Sequence, residues 1–401
     1  MSVPPHPLES DLHSPLRLNA GAGVSHHLAP SDLRLLPRAV RPELRIHHSL
    51  RDLEALESAW RRLTPAHASP FQTFSWNLAW YRSYADVARR PLIFELVQDG
   101  ATLALLPCYL SGKTIRLAGD LTGDYQDAVA ATAQSVETLL SHLLDWLQGE
   151  GRKFHFHFQK LSSEGFLFKA LSESNELPDR ALLYRKFYVP CPYALLNGGL
   201  DGYLASLPRK RRQDLRNSLN RLEREAPFAR VTMLRDYEIR VDDLENAAGF
   251  HTEHFRKEGK SPFEDSRLLS LFAEVVKDPE VGFTLAFMTH RGDLLSVDFG
   301  FVRGGRYYGY LTAFDGNFAH LAPGKCLLLK RIDEWAREDG VETLDFLSGG
   351  EAYKRGFTGD SAYAVWSMRL MPRDFKNRIR SLGLESNKRL RRLAKAVLGK
   401  S

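Results

Sequence analysis

Cysteine is scarce in this chain, three residues in 401, and long uncharged apolar runs are missing altogether. Cys108, Cys191 and Cys326 lie far apart, with no C-x-x-C or Cys/His pattern, which excludes a disulfide framework and a structural zinc site and leaves them as small buried hydrophobes. No window approaches 18 uncharged apolar residues and the N-terminal stretch has no apolar signal core, so a cytosolic chain without a membrane span is expected. The phosphate-loop spacing G-x-x-x-x-G-K-[ST] and the dinucleotide fingerprint G-x-G-x-x-G are also absent. His251 and His254 lack the H-E-x-x-H spacing, and His155 and His157 alternate with phenylalanines as the polar face of a strand, so no metal is expected.

What is present is a globular composition, 43% hydrophobic and 11% aromatic, on a chain long enough for two cored domains. The net charge of +6 is unevenly placed: residues 373–401 carry ten Lys/Arg against Asp374 and Glu385, so the rest of the chain sums to −2. The basic character belongs to this tail, where Phe375, Ile379, Leu382, Leu390, Leu393 and Val397 recur at helical spacing. A basic amphipathic helix of this kind lies on an anionic membrane surface, touches nucleic acid, packs on its own domain or stays loose, and no aromatic–basic RNA motif supports the nucleic-acid reading. Residues 1–42 are rich in Pro, His, Ser and Leu without a sustained period and are expected to be a disordered leader.

From residue 43 the pattern becomes periodic. "ELRIHHS" predicts a strand, 50–63 a helix with Leu53, Leu56 and Trp60 on one stripe, 75–84 an aromatic-faced helix whose Trp76, Trp80 and Tyr81 belong to the core, and 135–149 another helix. "PLIFELVQDGATLALLPCYL" predicts a hairpin turning at Asp99-Gly100, and "KFHFHFQ" alternates as a strand does. The second half repeats the plan, with a hairpin turning at Arg291-Gly292-Asp293, the strand "RYYGYLTAFD", a helix and a strand. Trp146 precedes Gly151 by the same five residues that separate Trp335 from Gly340, and the hairpin glycines Gly100 and Gly292 keep nearly the same offset. An internal duplication of one α/β unit accounts for this registration.

The copies differ where the second has "HLAPGKCLLLK" leading into its helix and the first has "AATAQSVETLLSH". Amides at a helix start have no internal partner and face the positive end of the helix dipole, which suits a phosphate. Gly324 allows close approach, Lys325 adds charge and Pro323 presets φ, so the C-terminal copy alone is equipped to bind a phosphorylated co-substrate.

"KCLLLKRIDEWAREDGVETLDFLSGGEAYKRGF", preceded by "GRYYGYLTAFDGNFAHLAPG", resembles the C-terminal half of the cellulose-biosynthesis-associated CelD/BcsL group of GNAT acyltransferases. "YLASLPRKRRQDLRNSLNRLERE", "FHTEHFRKEG" and "LAGDLTGDYQDAVA" are similar to further segments of that group, and the likeness runs from about residue 45 to 371. Tyr353-Lys354-Arg355-Gly356-Phe357 also resembles a motif of the FemABX aminoacyltransferases, likewise tandem GNAT folds. The resemblance implies an α/β fold of mixed sheets in two GNAT-like domains, 43–198 without a cofactor loop and 199–372 binding acetyl-CoA or another acyl-CoA as co-substrate. It implies that the pantetheine enters between splayed central strands, its thioester bonded at Thr312 and Ala313, its pyrophosphate on the loop Leu321, Ala322, Pro323, Gly324 and Lys325, with "TLDFLSG" as the opposite wall. That loop departs from the usual Gln/Arg-x-x-Gly-x-Gly/Ala form, Gly324 being its only glycine.

Acyl transfer from a thioester needs a neutral amine, donors aimed at the oxyanion and protonation of the leaving thiolate, with no covalent enzyme intermediate. That agrees with the absence of any Ser/His/Asp or Cys/His motif. Asp298 in "LLSVDFGFV" is either a cleft-lining general base or a solvent-facing strand residue, and Glu351 competes for the base role. Tyr353 either protonates the thiolate or seals the core. Lys354 and Arg355 either hold a substrate anion or are exposed loop charges. Arg209 and Arg212 belong to a run of four cations at a helix start, placed against the dipole, which favours an anionic donor, acceptor or RNA over a plain solvated face. Asp124, Tyr125 and Asp127 in "GDYQDAV" are expected to orient the amine between the halves, an Asx turn being the other reading of Asp124.

The expected activity is acyl-CoA-dependent N-acylation of a small amine, amino acid or amino sugar in envelope or polysaccharide metabolism. Transfer from aminoacyl-tRNA and a non-catalytic role in polysaccharide assembly are the alternatives.

Overall fold

The computed structural model describes residues 41–373, with 258 and 260 excepted. The expectations on the leader 1–42 and the basic tail 373–401 therefore fall, apart from residues 41, 42 and 373, outside the described residues.

The first half runs β1 (Glu43–His47), α1 (Leu50–Ala55), α2 (Glu57–Leu63), α3 (Phe74–Tyr84), β2 (Arg90–Gln98), β3 (Ala101–Ser111), β4 (Thr114–Leu117), β5 (Val129–Ala130), α4 (Ala133–Gln148), β6 (His155–Ser162), α5 (Phe166–Glu173), α6 (Leu177–Arg180) and β7 (Ala181–Leu195). The second runs α7 (Gly199–Ser206), α8 (Arg209–Glu225), β8 (Arg230–Arg235), α9 (Val241–His254), α10 (Ser266–Val275), β9 (Phe283–His290), β10 (Asp293–Arg303), β11 (Arg306–Phe314), α11 (Pro323–Glu334), β12 (Thr343–Asp345), α12 (Ala352–Thr358) and β13 (Ala362–Pro372). In each half, helices and a hairpin precede a further antiparallel strand, a crossover helix, a parallel strand, a short helix and a long strand. Both expected hairpins form, and both turn on consecutive residues with positive φ, Asp99-Gly100 and Arg291-Gly292, the mirror-image turn that matches strand twist. The helix expected over 50–63 is interrupted at Leu56, whose amide bonds back to Leu53 and Glu54, although Leu53, Leu56 and Trp60 still bury one stripe.

All strands join one mixed sheet in the order β1-β2-β3-β4-β6-β13-β7-β12-β11-β10-β9-β8, with β5 beside β3. Two exchanges join the halves. β13 returns from the second half to lie between β6 and β7, pairing Ala362–Pro372 with Pro192–Ala181, and the last residues of β7, Tyr193–Leu195, pair with β12. The segments 43–198 and 199–372 thus share one hydrogen-bonded ladder. One apolar core spans both, from Trp60, Trp76 and Trp80 to Phe272, Phe283 and Phe301. Its edge-to-face contacts include Phe71 with Phe301, 5.5 Å apart, and Trp76 with Phe301, 5.6 Å apart. Arg61 bridges Asp278 and Glu280, both at 2.7 Å, at its margin.

Cys108, Cys191 and Cys326 are buried and free. His155 bonds Thr114 and His157 bonds Ser367, while His251 bonds Ser261 among phenylalanines. Among the described residues no group of three or more His, Cys, Asp or Glu could hold a metal ion, and no helix is long and apolar enough to cross a membrane.

The repeated Trp/Gly pairs serve different physical needs. A Cβ on Gly151 would lie 2.5 Å from the Trp146 ring, so space is the constraint there. Gly340 has open space but a φ of +60° where the π-turn Trp335–Asp339 ends, so backbone conformation is the constraint. Gly340→Ala is expected to cost about 1–2 kcal/mol in urea unfolding. In double-mutant cycles with Leu at the tryptophan, Gly151→Ala should couple to Trp146, and Gly340→Ala should show no coupling to Trp335.

Candidate active site

The wedge begins where β11 and β12 part. These parallel strands share three registers, Arg306, Tyr307 and Tyr308 against Thr343, Leu344 and Asp345. Beyond them β11 continues to Phe314 along β10, with Tyr310 as the extra residue of a bulge opposite Phe299 and Gly300. The other wall turns toward β7: Phe346 donates to the Pro192 carbonyl at 2.9 Å and Gly349 to that of Pro190 at 3.0 Å. Past Tyr308, β11 has no ladder partner on this side, so its backbone through Thr312 and Ala313 borders a gap.

The start of α11 faces the same gap. Ala322 is its N-cap, with a left-handed φ of +49°, Pro323 is its first residue, and no side chain caps the helix. Pro323 has no N–H, so the amides of Gly324 and Lys325 are the open donors of this end. A Cβ on Gly324 would lie 3.6 Å from the Thr312 hydroxyl, which places the helix start directly against β11. Leu321 is buried beneath it. Lys325 leans onto α8, bonding Asp214 at 2.8 Å, and Arg221 of α8 donates to the His320 carbonyl at 2.8 Å. Arg209 and Arg212 open that same helix, Arg209 exposed and Arg212 half-buried with its guanidinium on the Ala205 carbonyl.

The first half has the corresponding gap and fills it. β4 and β6 pair only at Thr114–His155 and Ile115–Phe156, after which the amide of Gln126 donates to the Lys160 carbonyl at 2.9 Å and closes the opening. Its crossover helix α4 is capped by Thr132, which accepts from the Ser135 amide. The loop that fills this gap also reaches the second half. The Tyr125 hydroxyl donates to both Asp345 oxygens at 2.9 and 2.8 Å, Asp124 accepts from the Ser348 amide at 2.9 Å, and Tyr310 donates to the Thr122 carbonyl at 2.5 Å. Lys160 stands 3.1 Å from Asp124. Tyr125, Lys160, Ala322 and Leu347 all have positive φ without being glycine, a strain of roughly 1–3 kcal/mol each that the surrounding contacts must hold.

Asp124 and Tyr125 are therefore brought to the wedge. Asp127 is not: it accepts from the amides of Phe166 and Leu167 at 2.8 and 2.7 Å and caps α5. Asp298 is buried under α11 and forms an ion pair with Arg331 at 2.6 Å, with Tyr307 also donating to it. Burial pushes this carboxyl upward and Arg331 and Tyr307 pull it back, with the rise prevailing. Arg331 has no exposure, its guanidinium lying 4.4 Å over Trp335 and 4.9 Å over Tyr307, which stack on each other at 3.9 Å. Glu351 precedes α12 and stays about half exposed, paired with Lys354 at 2.9 Å; the Lys354 ammonium also reaches the Ser348 carbonyl. Tyr353, in the first turn of α12, is 52% exposed and edge-on to Phe346, and Arg355 is exposed.

Four residues at the wedge escaped sequence reasoning: Asp345, Arg306, Tyr310 and Arg331. Asp345 closes the paired part of β12 with no exposure, held by Tyr125, by Arg306 at 2.8 Å and by the Leu347 amide at 2.8 Å. Burial raises its pKa to about 6 against the opposing pull of Arg306 and these hydrogen bonds. A carboxylate inside "TLDFL" is a signal of this kind, since a charge in an apolar run needs a partner.

Residues 209–355 match the family model described as "Acetyltransferase (GNAT) domain". Over these residues, fewer than half of the chain, the match is to an acetyltransferase domain and supports acyltransferase chemistry. No curated protein matches the chain. Among solved structures, FemX is similar at a TM-score of 0.55 and 12% identity, covering 82% of this chain and 97% of its own. L-PGS from Bacillus licheniformis follows at 0.51 and 13%, covering 84% and 95%. A conserved protein of unknown function from Bacteroides thetaiotaomicron gives 0.52 and 14%, covering 82% and all of its own length. At these identities the likeness is one of fold.

Asp298→Ala leaves Arg331 charged and buried without its partner and is expected to cost about 3–5 kcal/mol. Replacing the pair together, Asp298→Leu with Arg331→Met, should recover most of that loss in urea unfolding.

Proposed function

We propose that the chain transfers an acyl group from an acyl-CoA to the nitrogen of an amine, with the donor bound by the second half. The observation that carries this reading is the uncapped start of α11 standing against the unpaired edge of β11. The amides of Gly324 and Lys325 hold the diphosphate there, and the thioester arm lies between β11 and the wall from Phe346 to Gly349. The first half has no equivalent donor site, since Thr132 and Gln126 occupy the corresponding positions.

Asp298 and Asp345 are enclosed in ion pairs, so Glu351 is the accessible carboxylate near the wedge and takes the proton of the attacking amine. Tyr353 supplies a proton to the departing thiolate. Lys354 orients Glu351, and Arg355 adds positive charge at the opening. The CelD/BcsL resemblance supports an acceptor from polysaccharide or envelope metabolism. Aminoacyl-tRNA as donor is favoured by one observation, the cationic start of α8 beside α11.

Acetyl-CoA or a longer acyl-CoA is expected to raise Tm, and Gly324→Asp to abolish that rise; a shift that survives the substitution rules out this donor site. Salt-sensitive binding of tRNA with no response to any acyl-CoA would favour the tRNA donor instead. Glu351→Gln and Tyr353→Phe should each lower kcat by about 10²–10⁴-fold while leaving the acyl-CoA shift in place.

A further inference from the structure

Where the Thr64–Gln72 segment and the β4–α4 loop of the first half meet the start of β11 lies a cavity of about 250 Å³ that the transfer scheme above does not use. Arg306 forms its floor, its guanidinium 5.8 Å from the Tyr308 ring and 4.9 Å from that of Tyr363. It donates to Asp345 at 2.8 Å and to the Tyr363 hydroxyl at 3.2 Å. A guanidinium has five N–H groups, so these two bonds leave further donors on a residue that lines the cavity.

The acids nearby do not consume those donors. Asp127 is committed to the start of α5, accepting from the amides of Ala128, Phe166 and Leu167 at 2.9, 2.8 and 2.7 Å. Glu164 is exposed at the rim, 3.7 Å from Lys169. Asp345 lies behind Arg306 with no exposure. The walls are aromatic, from Tyr125, Tyr308, Tyr363 and Phe166, with Gln72 and Ser162 as polar points. A planar fork of donors between ring faces matches a planar monoanion with an apolar body. One guanidinium partly neutralised by Asp345 is a poor counter-ion for a phosphate dianion. Tyr308 lines the cavity and also occupies the last paired register before the strands part, opposite Asp345, so the cavity adjoins the wedge.

The geometry points to this cavity as the seat of the acceptor's carboxylate, which makes the acceptor an amine of the amino-acid or peptide class. The assignment to the acceptor rests on the acyl-transfer reading above; binding of the acid does not. Titration calorimetry on the full chain, without acyl-CoA, would compare phenylalanine and benzoate with phenylalaninamide, benzamide and phenyl phosphate. The carboxylates should bind at least about tenfold more tightly than the matched amides. That preference should vanish in Arg306→Met with Asp345→Asn, which removes both charges together, and in Ser162→Trp, which fills the cavity and leaves the pair intact. Equal binding of acids and amides, tighter binding of phenyl phosphate, or wild-type binding by both variants would overturn the proposal. A chain that binds acetyl-CoA but no carboxylate overturns this inference alone. Carboxylate binding alongside an acetyl-CoA response that Gly324→Asp leaves intact upholds it and removes only the donor site.

Discussion

The choice of partner made by the chain after Asp345 decides most of what this molecule can do. Phe346 and Gly349 give their amides to β7 rather than to β11, and a ladder that could have closed stays open beyond Tyr308. Backbone groups within a sheet are obligate hydrogen bonders, so an interrupted ladder must be satisfied elsewhere or by something that enters. β10 satisfies one edge of β11 and β7 satisfies the opposite wall, which leaves the facing edge of β11 past Tyr308 without a ladder partner among the described strands. β7 can do this because it is long enough, at fifteen residues, to pair with β13 along most of its length and still present Tyr193–Leu195 to β12.

The two halves use the same architecture for opposite ends. In the first, a loop fills the gap and a threonine caps the crossover helix, so neither the open strand edge nor the uncapped helix start of the second half recurs there. The same loop then braces the second half through Tyr125 on Asp345 and Asp124 on the Ser348 amide. The repeated plan thus supplies one open wedge and one brace. Beneath the open wedge, Arg331 pins α11 to β10 through Asp298 and lies against Trp335 and Tyr307. A buried pair of this kind adds little net stability, although leaving either partner unpaired is costly.

Local chemistry made part of this legible from sequence. Asp99-Gly100 and Arg291-Gly292 announced their hairpins because a two-residue turn with positive φ admits few residue types. The Pro323-Gly324 turn marked a helix start for the same kind of reason, and the lack of such a turn near residue 132 marked the first half as different. Partners distant in sequence were not legible. Asp298 was weighed as cleft-lining or solvent-facing and is neither, because its partner Arg331 sits 33 positions away on another element, a distance that strand alternation does not reach. Asp345 was passed over inside an apolar strand, although a charge there implies compensation by some group that periodicity cannot name. Trp146 and Trp335 did reveal the repeated plan, while the reasons for their companion glycines, a ring in one case and a backbone angle in the other, are set by packing and local conformation.

The placement of β13 carries a consequence for how the protein comes into being. The strand that completes the first half's sheet is the last of the described strands to leave the ribosome. Until residues 362–372 are made, β6 and β7 each present an unpaired edge that a neighbouring nascent chain can occupy. The first half's sheet therefore stays incomplete until the second half has been made, and a chain that ends between Leu195 and Ala362 leaves those two edges without the strand that pairs them.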